Sequence, residues 1–563
     1  MKRPWLNFYD EGVPHRLEYP FITVPEYLNQ SAQRYPSQVA TIFLGSRMTY
    51  RQLKAQVDHL ASRLYYMGVR KGDRVAIMLP NCPQTVIAYY ATLSLGAVTV
   101  LTNPLYVERE LEHQWAEASV ETVFVLDLLW PRVEDLRRKL RLKRVIVTGV
   151  QDYLPFPKNV LFPFRARSQG KWVNVPSGEG IFQFKRLVRN GPPPPPPANL
   201  SPDDLACLQY TGGTTGLPKG AMLTHRNLVA SVTQIRTFLL QGHGEAQDRA
   251  IAILPLFHVY GMNGVMNLGV HLAATLILLP RLDIKALVET IRTQHPTFFL
   301  GVPALYIAVN SYPGIDQIDL SSIKMCFSGG APLPADVVQS FEARTGARIA
   351  EAYGMTEASS VTHVNPRRGV RKFGSVGVPI VGTDSKIVDM ETGAQELPPG
   401  QAGELLVRGP QVTAGYWNQP EETAHALKDG WLYTGDIATV DEDGYFFIVD
   451  RKKDVILTAG FNVYPREVEE VLYQHPKVLE AAVIGLPDKV RGEKVTAYVV
   501  LKPGETATAP EIRSFCRERL APYKEPRAVH FRDELPKSMA GKVLRRALQE
   551  EELSRMGQKE RAK

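Results

Sequence analysis

Apolar positions along the chain follow two alternating rhythms. Leu53, Val57, Leu60, Ala61 and Leu64 recur at helical spacing and Gly68 supplies a stop, which predicts a helix. "DRVAIMLPN" follows as a run whose apolar residues do not alternate, as expected of a buried strand. A second helix is predicted over 83–95 and a second buried strand from Ala97 to Leu101. Strand and helix keep alternating through the first 450 residues. That order predicts parallel sheets with helices outside, an α/β fold. The most apolar stretch, Val265 to Leu279, contains His271 and is too short to span a bilayer, so it reads as a buried helix–strand pair.

Two segments break the rhythm. Between 150 and 200, "YLPFPKNVLFPFRARSQGKWVNV" mixes Phe, Pro and basic residues, and Pro192 to Pro197 form an uninterrupted proline run. Such a run favours polyproline II, about 19 Å long at about 3.1 Å per residue. It reads as a stiff surface spacer, with contact to a membrane or partner as the other reading. After "DGYFFIVDRKKD" the texture changes again. "PREVEEVLYQHP" predicts a short helix with Pro465 near its start and Val468, Val471 and Leu472 inward. "VTAYVVL" predicts a strand and "PEIRSFCRERL" another helix. The expected organisation is therefore a large α/β domain over 1–450 and a small α+β domain over 451–563, with the boundary in the charged segment Asp450 to Asp454.

A chain of 563 residues is too long for one core, which agrees with two domains. Sixty-six basic against 58 acidic residues give a formal charge of +8, which suits nucleotides or a membrane surface. No nucleic-acid recognition motif accompanies the charge, so no nucleic-acid partner is expected. Cys82, Cys207, Cys326 and Cys516 lie far apart without metal or redox spacing and read as reduced structural thiols. The start "MKRPWLNFYDEG" lacks the apolar core of a signal peptide, so a cytoplasmic location is expected.

The chemistry begins at "YTGGTTGLPKG", residues 210–220. Glycines without Cβ let successive N–H groups point into one concavity that accepts phosphate oxygens. Thr211, Thr214 and Thr215 can add hydroxyls, and Lys219 closes the run. It is not a Walker loop, because Leu217 and Pro218 separate Gly216 from Lys219 and no Ser or Thr follows the lysine. Alone, such a loop is as readily a plain turn. Five further segments accompany it: "SGGAPL" at 328–333, "EAYGMTEAS" at 351–359, "LYTGD" at 432–436, "DRKKD" at 450–454 and "PKSMAGKVLRR" at 536–546.

In this order the segments resemble the adenylate-forming superfamily of acyl-CoA synthetases, luciferases and peptide-synthetase adenylation domains. The likeness covers nearly the whole chain. It is strongest to bacterial long-chain fatty-acid–CoA ligases, through "GDRVAIMLPNCPQTV", "PLFHVYG" and "GFNVYPREVEEVLY". The resemblance implies an enzyme that joins a medium to long fatty acid to coenzyme A, using ATP and Mg²⁺, through an acyl-adenylate. Thr211, Gly212, Gly213, Thr214, Thr215, Gly216 and Lys219 would hold phosphates, with Mg²⁺ on Thr214 and Glu357 and the α-phosphate on Thr356. Gly330, Ala331, Tyr353 and Gly354 would border adenine. Asp436 and Arg451 would anchor the ribose, with a plain Asp–Arg salt bridge as the structural alternative.

Lys542 would sit between the attacking carboxylate and the α-phosphate, and Lys453 would be the pivot on which the small domain turns between half-reactions. Ala459 and Gly460 would line the coenzyme A tunnel; many relatives have a second glycine at the first of these. His258, Tyr260, Gly301 and Ala352 would border the acyl pocket, with Gly301 and Ala304 expected to leave space for a chain and a core histidine as the other reading of His258. Phe257 is followed by His258 where amino-acid activators place Asp, which argues against an amino-acid substrate. An aryl acid of the coumarate or benzoate kind is the alternative within this fold. A non-catalytic acyl- or nucleotide-binding protein and a luciferase-like oxygenase are the alternatives outside that reaction. The likeness also raises a homodimer and peripheral contact with the inner membrane face.

Overall fold

The computed structural model describes residues 3–170, 172–211, 218–241, 243–458, 461–488, 491–537 and 543–561, the last six without their side chains. The chain divides into two units, Met1–Asp384 with Val407–Leu432, and Ser385–Leu406 with Tyr433–Lys563.

The predicted helix over 53–64 runs from Tyr50 to Tyr66. It starts there because the Thr49 hydroxyl accepts from Gln52 N while the Gln52 side chain accepts from Thr49 N, which satisfies two of the free donors at a helix start. Leu53, Val57, Leu60 and Leu64 are all fully buried. "DRVAIMLPN" supplies the strand Arg74–Met78, flanked in parallel by Val98–Leu101 and Thr122–Leu126. With Arg144–Thr148, Ile181–Gln183, Leu205–Thr211 and Lys219–Thr224 these build a seven-stranded sheet, parallel except for the last pair. A second sheet of nine strands is parallel through its middle, where Phe298–Gly301, Met325–Ser328 and Ile349–Met355 lie side by side. Brought together at their C-terminal ends, these three strands deliver the candidate site residues.

Val265 to Leu279 is a buried helix–strand pair as expected, but its first part belongs to a π-helix, Tyr260–Asn267. Gly261 permits the tight approach there: a Cβ on it would lie 2.1 Å from the Pro255 carbonyl oxygen. The irregular stretch 150–200 holds a helix that the pattern concealed, Lys158–Ser168, with Pro163 inside it. The proline run carries neither helix nor strand.

In the second unit, residues 436–440 of the strand Trp431–Val440 pair antiparallel with Phe446–Arg451. Asp450 and Arg451 are thus hydrogen-bonded into a sheet with residues of 433–440, and the compact unit starts earlier in the chain than the expected boundary at Asp450. Pro465–Tyr473, Gly492–Leu501 and Ala509–Arg517 follow as predicted, joined by a strand the pattern did not announce, Val478–Asp488, with Val468, Leu472, Val499 and Ile512 in one core. All four cysteines are buried and free, and burial pushes the Cys82 and Cys516 thiols up to about 11. Among the described residues no helix is long and apolar enough to cross a membrane.

Candidate active site

Thr211 and Lys219 face each other across an antiparallel hairpin at the edge of the seven-stranded sheet. Gly212, Gly213, Thr214, Thr215 and Gly216 lie outside the described residues, as do Ala459, Gly460 and Lys542. Lys219 is mostly buried, pairs with Glu422, and holds its ammonium 5.7 Å from the centre of the Tyr416 ring. A lysine so placed is a fixed positive charge beside the loop, with its position set by a carboxylate and an aromatic face.

"EAYGMTEAS" is largely the strand Ile349–Met355, ending in a single tight turn, Thr356–Ala358. The strand bulges between Tyr353 and Gly354 where it pairs with Ser360–Val364. A Cβ on Gly354 would lie 1.5 Å from the Ser360 carbonyl oxygen, so only glycine fits. The chain then passes through Ser359 and Ser360 at φ of 55° and 126°, conformations that a serine adopts at a cost. The result is a turn with Thr356 and Glu357 buried, 9% and 8% exposed.

Tyr416 Oη donates to Glu357 Oε1 at 2.8 Å, and Thr413 N donates to the Glu357 carbonyl at 2.7 Å. Thr423 Oγ1 in turn accepts from Tyr416 N at 2.9 Å. Burial first, and then the Glu357 carboxylate, hold the Tyr416 hydroxyl above its ordinary range, so it remains a neutral donor. Tyr416, Thr413 and Glu422 carry no signal in the sequence that pairs them with Glu357 or Lys219.

The acyl-pocket candidates partly converge. Tyr260 Oη lies 3.3 Å from the Phe327 carbonyl and 3.4 Å from the Gly301 carbonyl, and a Cβ on Gly329 would lie 3.3 Å from the Ala352 carbonyl and 3.5 Å from the Tyr260 ring. Tyr260, Gly301 and Ala352 therefore meet around the end of the strand Met325–Ser328. Gly301 does not open space, however: a Cβ there would lie 3.0 Å from the Tyr306 ring and 3.2 Å from the Phe299 ring, which already fill the gap. His258 is exposed and bonds its own turn through Tyr260 N at 3.3 Å, so it is not a core histidine. Gly330, at φ +85°, and Ala331 are exposed just past that strand, and Tyr353 is half-buried with its ring 5.8 Å from that of His363.

In the second unit Asp436 and Arg451 are cross-strand partners, Arg451 Nε lying 3.7 Å from Asp436 Oδ1. The simple Asp–Arg ion pair is thus present, at a separation longer than a hydrogen bond. Lys453 reaches solvent, yet partial burial first and the Arg451 guanidinium second hold its ammonium below the usual lysine range. Beside it lies a cluster that the sequence reading missed. Arg545 donates to Glu469 through Nε at 3.1 Å and Nη2 at 2.6 Å, while its Nη1 lies 3.2 Å from both Asp450 and Asp454. Three carboxylates from either side of Lys453 and from the helix Pro465–Tyr473 converge on one planar cation. Burial raises the Glu469 and Asp450 carboxyls, with Arg545 opposing it in each case.

These features follow a known pattern. Residues 28–417 match the AMP-binding enzyme family, and residues 467–542 match the AMP-binding enzyme C-terminal domain. The chain belongs to the AMP-binding enzyme family. It is 46% identical over 553 residues to a long-chain-fatty-acid–CoA ligase of Bacillus subtilis, with 98% of each chain covered. It is 38% identical over 556 residues to a long-chain-fatty-acid–CoA ligase of Escherichia coli, again with 98% of each covered. Among solved structures, an anthranilate CoA ligase, AuaEII, in complex with anthranoyl-AMP superposes with a TM-score of 0.84 at 28% identity, over 96% of this chain and 99% of that one. The α/β architecture, with parallel sheets in the large part and a separate C-terminal domain, is that of adenylate-forming AMP-binding enzymes, and the chain is an enzyme of the acid–thiol ligase kind.

Proposed function

We propose that the chain joins a medium- to long-chain fatty acid to coenzyme A, releasing AMP and pyrophosphate, through an acyl-adenylate. The observation that carries the reading is the Glu357 turn, a buried carboxylate delivered by a strained strand end and fixed by a neutral phenol. The supporting likeness is to relatives that carry this activity by name over their whole length.

Adenylation brings a carboxylate against the α-phosphate of ATP, so the site must align two anions and offset their charge. Lys219, held by Glu422, gives a positive charge at the phosphate loop, where Thr211 through Gly216 would supply N–H and hydroxyl donors. Thr356 would donate to the α-phosphate. Gly330, Ala331 and Tyr353 would bound the adenine, and Asp436 would accept from the ribose hydroxyls with Arg451 donating back. Lys542 would bridge carboxylate and α-phosphate.

The donor set fits Mg²⁺: Glu357 offers hard oxygen, and that ion takes only one or two ligands from protein and the rest from phosphate and water. Glu357 and Thr214 would hold it, and when bound it neutralises phosphate charge. The Tyr416 hydroxyl would keep the Glu357 carboxylate turned toward that position.

Thioester formation needs the opposite arrangement, with Lys542 withdrawn and the thiol admitted past Ala459 and Gly460. Lys453 would be the pivot, with residues 451–563 turning as the C-terminal domain. Tyr260, Gly301, Ala352 and His258 would border the acyl chain, with the space for that chain lying away from the filled side of Gly301. The functional unit would be a homodimer working in the cytoplasm, at the inner face of the membrane.

The test is pyrophosphate release, with and without coenzyme A, across saturated acids from C4 to C18 and aryl acids of the coumarate and benzoate type. Turnover rising toward the longer alkyl acids is expected. Preference for the aryl acids would overturn the acyl assignment and keep the fold chemistry, and no release with any acid would overturn the catalytic reading.

A further inference from the structure

We propose that the helix Lys158–Ser168, with Phe156 before it, is an interfacial anchor that lies on an anionic lipid surface. This deepens the membrane-contact part of the function proposed above, and rests on that reading only for why a lipid surface would be useful.

The helix is poorly accounted for by its own protein. Of its eleven residues only Ala166 is buried. Phe156 is 82% exposed, Phe164 65%, Leu161 59% and Val160 51%. Val160, Leu161 and Phe164, at i, i+1 and i+4, share one face of a helix. Leu44, 42% exposed, comes near the start of this segment, since a Cβ on its neighbour Gly45 would lie 3.7 Å from Pro155. Pro163 removes one internal hydrogen bond and crowds the preceding turn, so the helix is not held by strong intrinsic preference. Single exposed apolar residues are ordinary, whereas four large ones grouped on one short element mark an interaction surface.

Charge decides the occupant. From residue 153 to 178 the chain has four basic residues and no acidic one. Lys158, Arg165 and Arg167 are exposed on or beside the apolar face, and the Arg167 guanidinium sits 4.8 Å from the Trp172 ring centre. Bulky apolar side chains interleaved with cations, plus a tryptophan near the polar edge, suit the boundary between lipid headgroups and acyl chains. A helix of eleven residues cannot span a bilayer, so it would lie in the plane of the surface. Long alkyl acids partition into bilayers, so an enzyme resting there would meet its substrate where it is concentrated.

The test uses the full chain and sedimentation with sucrose-loaded vesicles of phosphatidylcholine alone or mixed with phosphatidylglycerol, without ATP. Three variants are compared: Phe156→Ser/Leu161→Ser/Phe164→Ser, Arg165→Gln/Arg167→Gln, and the control Leu282→Ser, a leucine 58% exposed elsewhere on the same unit. Unfolding midpoints confirm that all are folded. The parent chain and the control should bind the mixed vesicles. The arginine pair should lose about fivefold in partition per charge removed, and only on anionic vesicles. The apolar triple should lose binding to a similar or greater degree. No binding by the parent chain, or binding that survives both sets of substitutions, would overturn the proposal. Pyrophosphate release with a short, water-soluble acid is measured in parallel. Its absence in the parent chain, together with absence of release across the C4 to C18 acids, would count against the ligase reading while lipid binding stood on its own.

Discussion

Replacing Tyr416 with Phe removes one oxygen atom and asks whether the Glu357 carboxylate is functional or merely tucked away. The lost interaction is the 2.8 Å donation from Tyr416 Oη to Glu357 Oε1. The acceptor is buried, so no bulk water replaces the hydroxyl freely. A hydrogen bond to a charged group contributes about 1.5–3 kcal/mol, a factor of roughly 13 to 160. Groups that orient a metal ligand without touching the metal typically change affinity or activity about 10- to 100-fold, which falls in the same range. The assay is pyrophosphate release from ATP and fatty acid while Mg²⁺ is titrated, beside conversion of supplied acyl-adenylate to thioester. Tyr416→Phe should raise the Mg²⁺ needed for half-maximal adenylation about tenfold or more, leave the thioester step within about twofold, and lower folding stability by no more than about 1.5–3 kcal/mol. An unaltered Mg²⁺ profile, or equal losses in both half-reactions, would refute the argument that this phenol aims Glu357 at a cation.

Four further outcomes are expected. Lys542→Ala should abolish most adenylation while still converting supplied acyl-adenylate to thioester, measured by the same two half-reactions. Lys453→Pro should spare adenylation and cripple thioester formation; unchanged thioester formation would remove the hinge assignment. Arg545→Ala strands the carboxylates of Asp450, Asp454 and Glu469 in a buried setting, and should destabilise the second unit by about 3–5 kcal/mol in denaturant titration. Finally, His225 and His363 are fully buried, and burial lowers them to about 4 and about 3. Since their folded values lie below the unfolded one near 6.5, their contribution is complete above about pH 6.5 and is lost on acidification, by about 2 kcal/mol each at pH 5. Unfolding midpoints should therefore fall between pH 7 and 5, and His225→Asn, which can still accept from Val24 N, should flatten the slope.

The sequence made legible what repeats locally. The helix at 50–66 and the strand at 74–78 announce themselves through spacing, a glycine stop and an unbroken apolar run. The motifs around Gly330, Glu357 and Asp436 were equally visible, because each is a short, ordered string. What stayed hidden depends on contacts far apart in the chain. Nothing near Glu357 points to Tyr416, 59 residues later, and nothing near Lys453 points to Arg545. The helix 158–168 was masked by Pro163, and the π-helical turn by the lack of any residue pattern that separates it from an ordinary helix. Gly301 was misjudged because a missing side chain does not say which neighbours fill the gap, and nothing in the sequence decided between the two readings of His258, which the structure places in an exposed turn.

The crowded carbonyl of Ser360 has a practical bearing on anyone wishing to retune this protein. Because position 354 admits no atom beyond a hydrogen, the stretch from Tyr353 to Ser360 behaves as a cast part: a methyl group added there has to displace the main chain opposite, and the displacement reaches Glu357 three residues later. Attempts to retune the surroundings of Glu357 should therefore leave that glycine in place.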